Sequence, residues 1–184
     1  MGPIVRAALF AVAAAAGLFD AAPARAEPAY APMAPFAAMV GKTYRGEGTG
    51  PDGAPLVDIA KWEFILGGRA VQTTHRLEGG DYGGRTIMFF DEAAKTYVFH
   101  YFTTAGFHTI GEFDVTEDGF VGSEAVEGHP TYVSVYSKTT LDGDGTLRIT
   151  SEYVDRKGER TPATSLTYRP IAPVGPLFAA GAGD

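Results

Sequence analysis

Cysteine is absent from all 184 residues. That closes every disulfide-scaffold reading, and it means that an exported form must draw its stability from packing alone. Positive charge is sparse: 15 Lys and Arg stand against 22 Asp and Glu, a formal net charge of −7. With no basic patch in sight, nucleic acid is not expected as a partner. A membrane-spanning helix needs roughly 20 consecutive apolar residues, and the run from Ala7 to Phe19 breaks at Asp20. Catalytic signatures are missing as well. There is no Gly-x-Ser-x-Gly, no His-x-His, and no Ser-His-Asp arrangement that spacing supports. The glycine-rich "GEGTGPDG" at 46–53 lacks the Lys-Ser/Thr and the following helix of a phosphate loop.

What is present begins with "MGPIVRAALFAVAAAAGLFDAAPARA", in which Arg6 precedes a short apolar stretch that ends near Ala24-Arg25-Ala26. This three-part order is that of a cleaved secretory signal over 1–26, so the expected location is periplasmic or secreted. Residues 27–35, "EPAYAPMAP", read as a flexible linker, and 171–184 as a flexible tail of the same Pro- and Ala-rich character. Between them lies one domain, 36–170. It opens with Phe36, Met39 and Val40 at helical spacing before Gly41, which predicts a short N-terminal helix, a plug for one end of the domain.

From Lys42 to Arg169 the hydrophobic period is two, and turn signals recur from Pro51-Asp52-Gly53 through Gly67-Gly68 to Lys157-Gly158. Hairpins in series without helical crossovers make an antiparallel meander, and a long meander closes to remove its edges. The fold class is therefore all-β, an antiparallel up-and-down β-barrel of about ten strands. The Gly67-Gly68 turn pairs Phe64 with Val71 and Trp62 with Thr73. Trp62, Phe64, Val71, His75 and Leu77 then face inward, and Lys61, Glu63, Gln72, Thr74 and Arg76 outward. A charged outer wall excludes an outer-membrane barrel, so no membrane insertion of the domain is expected. Eight strands already enclose room for side chains or one small ligand; about ten should leave a cavity. In 96–102 both faces are apolar, and the pattern does not say which one points inward.

Trp62, Phe64, His75, Tyr97 and Tyr101 are expected to form the wall of that cavity, with Arg69 and His108 as polar anchors for a small, largely apolar molecule. His100 and His108 raise the question of a metal clamp, but a four-residue turn at 103–106 would put them on opposite faces. No metal site and no catalytic residue are therefore expected. His129 falls in the loop "EGHPT". Glu112 and Glu124 would be candidate acids or bases only if they pointed inward, and Glu63 points outward.

"VGKTYRGEGTGPDG", "KWEFILGGRAVQTTH", "YGGRTIMFFDEAAKTY" and "YFTTAGFHTIGEF", in this order, resemble a bacterial family of lipocalin-like, calycin-type barrels catalogued as a domain of unknown function. The resemblance runs from about Phe36 to Pro170 and implies an up-and-down barrel with a central cavity. It brings no catalytic residues. Through Gly41, Gly46, Gly48 and Gly50 the chain is also distantly similar to nitrobindins, which would imply haem. The histidine that ligates haem there has no counterpart in "SLTYRP" at 165–170, where Tyr168 is the residue able to ligate ferric iron. Two alternatives to a ligand carrier stand beside this: a haem or hydrolytic barrel acting through His75 or His108, and an envelope interaction module with a filled core.

Overall fold

The computed structural model describes residues 30–127 and 130–179. The signal expected at 1–26 and His129 lie outside them. Ten strands follow one another: β1 (Thr43–Thr49), β2 (Pro55–Ile65), β3 (Ala70–Leu77), β4 (Gly83–Asp91), β5 (Thr96–Thr103), β6 (His108–Thr116), β7 (Gly119–Ala125), β8 (Tyr132–Leu141), β9 (Leu147–Asp155) and β10 (Arg160–Ile171). Each pairs antiparallel with its neighbours in the chain. β10 returns to β1, with Thr43 opposite Ile171 and Thr49 opposite Ser165, and the barrel is closed. Turn carboxylates help to set the hairpins. Asp91 accepts from the amides of Ala93 and Ala94, and Asp155 from those of Lys157 and Glu159. Pro162, which has no N–H to give, sits where the β9–β10 register shifts.

The β2–β3 register is the one the Gly-Gly turn predicts, with Phe64 opposite Val71 and Trp62 opposite Thr73. In β5 the inward face is Tyr97, Phe99 and Tyr101, so His100 and Phe102 point out. The expectation for the two histidines is corrected. The β5–β6 turn has three residues, 104–106, closed by the amide of Thr103 on the carbonyl of Phe107 (3.1 Å), with Gly106 at φ 84°. An odd turn puts His100 and His108 on the same outer face, where Phe102 stands between and stacks on both.

The N-terminal helix is a 3-10 turn over Ala31–Phe36, earlier than the spacing of Phe36, Met39 and Val40 implies, and it occupies most of the expected linker 27–35. It is ordered because it buries side chains: Met33 and Phe36 are fully enclosed and Met39 nearly so. Phe36 meets Tyr97, Phe113 and Phe120 with centroids 5.8–6.0 Å apart, and the Tyr97 hydroxyl donates to the carbonyl of Pro32 (2.6 Å). One end of the barrel is thus stoppered by aromatic packing. The described part of the expected flexible tail is also held. Lys61 donates to the carbonyls of Val174 and Gly175, and Arg76 to that of Leu177, so the chain after β10 lies along the outer wall.

Candidate functional site

Between the stopper and the far end the barrel is hollow. The cavity measures about 350 Å³, and its apolar floor is Trp62, Met88, Phe99, Phe113, Phe120 and Leu147. It joins a vestibule of about 720 Å³, since Tyr101, Glu124, Val135, Ser151 and Thr164 line both. The vestibule exists because β6 and β7 part company. Their pairing ends at Gly111–Glu124, while β6 runs on to His108, and His108 and Val126 both line the space that opens.

Asp58 continues the inward series of β2 with Ala60, Trp62 and Phe64, and only 1% of it is exposed. A buried carboxylate must be compensated by hydrogen bonds. It is: the Tyr168 hydroxyl donates to Oδ2 (2.8 Å), and His75 Nδ1 lies 3.0 Å from Oδ1. With Nδ1–H given to Asp58, His75 Nε2 accepts from the Tyr101 hydroxyl (2.8 Å), and Tyr101 in turn accepts from Tyr82 (2.9 Å). Burial first raises the phenols of Tyr82, Tyr101 and Tyr168 above their ordinary value, so all three carry their protons as donors. The result is a directed chain from Tyr82 at the mouth to Asp58 in the wall. Glycine makes room for it: a Cβ on Gly46 would meet the Tyr168 ring at 2.5 Å, and one on Gly84 the Tyr101 ring at 2.6 Å.

Across from this chain stands Glu124, which takes a hydrogen bond from Thr109. Burial pushes its carboxyl above the usual range, against the smaller lowering effect of Thr109. Burial, and less so the charges of Glu124 and Asp58, raise Tyr82 and Tyr101, and Glu124 and Tyr101 both line the junction of cavity and vestibule.

Of the seven residues expected in the site, Trp62, His75 and Tyr101 line the cavity. Phe64 and Tyr97 face inward but pack at the stoppered end. Arg69 also belongs there, its guanidinium 4.8 Å from the Tyr30 ring centroid, and is no anchor for a cavity ligand. His108 is on the rim of the vestibule, exposed, and outside the cavity proper. Asp58, Tyr82, Glu124 and Tyr168 complete the polar side. The signal for Asp58 was in the period: it stands four residues before Trp62 and so shares its face.

The donors suit haem poorly. Tyr168 gives its proton to Asp58 and is raised well above its ordinary value by burial and by that carboxylate, which opposes a tyrosinate ligand. Both nitrogens of His75 are engaged. Among the described residues no group of three His, Asp or Glu could hold a metal ion.

No protein-family model matches this sequence, and no curated protein matches it. Among solved structures the barrel is similar to the crystal structure of Rv2717c from M. tuberculosis, at 11% identity and a TM-score of 0.56, covering 79% of this chain and 100% of that one. At that identity the likeness shows the barrel fold and nothing finer.

Proposed function

We propose that this protein is an exported carrier that binds one small, largely apolar molecule inside its barrel. The observation that carries this reading is the hollow of about 350 Å³, floored by Trp62, Phe113 and Phe120 and reached from one end only among the described residues. Sites for small molecules are concave, mostly apolar and furnished with a few convergent polar groups, and this one has that composition. Its volume lies at the small end of the usual range of roughly 300–1,000 Å³, which favours a compact ligand or a single chain. The lipocalin-like motifs of β1 to β6 favour the same reading. A hollow of this size speaks against a filled core and so favours a carrier over an interaction module. The donor set speaks against the haem alternative.

The test is binding of an uncharged, polarity-sensitive dye such as Nile red to the purified full chain. A blue-shifted, saturable emission at one dye per protein, reduced by a bulky substitution in the cavity wall such as Ser137→Phe, is the expected result. Emission that does not saturate, or that the variant leaves unchanged while its circular dichroism stays native, would overturn the reading.

A further inference from the structure

The charge and the hydrogen-bond direction of the polar side together define the chemistry of the ligand's head. Among the described residues no Lys or Arg lines either the cavity or the vestibule, whereas Asp58, Glu124 and Glu127 do. On the outer wall Arg76 is paired with Asp81 (3.6 Å) and Arg160 with Glu152 (3.1 Å), and Arg85 and Arg156 are not among the lining residues. If His75 takes a proton, its charge cancels that of Asp58 and the lining is still not positive. A carboxylate ligand would therefore lose its water and gain no counter-ion.

Direction adds an independent argument. With His75 neutral, Asp58 accepts from both Tyr168 and the Nδ1–H of His75, and the protons of the chain then point toward Asp58: Tyr82 to Tyr101, Tyr101 to His75 Nε2. What Tyr82 turns to the vestibule is oxygen lone pairs. Glu124, lining the same vestibule, offers acceptors as well. The rings of Tyr82, Tyr101, Tyr132 and Tyr153 line the same space, and Tyr132 and Tyr153 stack at 4.6 Å. Acceptors, an acid and π-faces around one opening are what an N–H-bearing cation needs.

Resting on the carrier reading above, we propose that the ligand is a primary amine with an apolar body, its ammonium held at the mouth by Glu124 and Tyr82 and its chain laid toward Trp62. The amine donates to Glu124 and to the Tyr82 oxygen, and the neutral body fills the floor. A trimethylated head, which has no N–H to donate, fits this mouth less well.

Calorimetric titration of the full chain with octylamine, octanol and octanoate at neutral pH tests it. Octylammonium is expected to bind at least tenfold more tightly than octanoate, and Glu124→Gln to cost octylammonium about tenfold while changing octanol by less than threefold. Octyltrimethylammonium should bind severalfold more weakly than octylammonium. If octanol binds but the amine gains nothing over octanoate, or if Glu124→Gln leaves the amine unaffected, the amine assignment falls and the carrier reading stands. If none of the ligands binds, both fall.

Discussion

Asp58 is the residue on which the polar wall depends. Removing it strands the Nδ1–H of His75 and the hydroxyl of Tyr168 inside the barrel, and an unsatisfied buried donor costs about 1–3 kcal/mol. Asp58→Ala is therefore expected to lose about 3 kcal/mol or more in urea unfolding, and Asp58→Asn less, because the amide oxygen still accepts one of the two bonds. Glu124 has the opposite sign. Its folded value is raised by burial, so its ionisation costs more in the fold than in the unfolded chain. Its contribution is fully present below the ordinary carboxylate range and is lost as pH rises through the folded value. Glu124→Gln should therefore melt higher than the parent at neutral pH, with the two melting curves converging in acid; a variant that is equally or less stable at pH 7 would contradict the assignment. Sequence alone gave the inward phase of Trp62 and His75 and left Asp58 unread, although its spacing from Trp62 carries the same phase. It gave no depth, because alternation tells which face a side chain takes and not how far along the strand it sits. Tyr97 and Tyr101 share a face about 13 Å apart at ~3.3 Å per residue, one under the stopper and one at the opening.

At the scale of elements, two devices close the lower half: the 3-10 stopper and the glycines of β1. Phe36 is fully buried among Tyr97, Phe113 and Phe120, and Phe36→Ala is expected to cost about 3–5 kcal/mol. A loss under 1 kcal/mol would mean that the stopper is not packed as described. In β1, Gly46 leaves the space that the Tyr168 ring occupies, and the ring is fixed by its bond to Asp58. Gly46→Ala should cost about 1–3 kcal/mol through that overlap, and combining it with Tyr168→Leu should recover part of the loss. The Gly-Gly hairpin register was readable because the turn is short and centred. The β5–β6 turn was not, since "TTAG" allows three or four residues and a change of one moves His108 to the other face. The stopper was half legible: a plug was foreseen, but the prolines of "APMAPF" set it as a 3-10 turn that starts in the expected linker.

For the whole molecule, the nine expected hairpins and the closure of β1 on β10 follow from one repeated rule, apolar inside and polar outside, with turns too short for any other connection. Closure leaves a hollow because small side chains such as Ser137, Ser151 and Thr164 line the upper wall while the large rings gather below. The chain has one tryptophan, 5% exposed, and it faces that hollow. Its emission therefore reports the interior directly. The decisive measurement is quenching of Trp62 by a brominated straight-chain alcohol compared with iodide. The account predicts saturable quenching at one alcohol per protein and almost none by iodide, which stays in water. Quenching by iodide without saturation by the alcohol would mean that the indole faces solvent and that the barrel holds no accessible hollow.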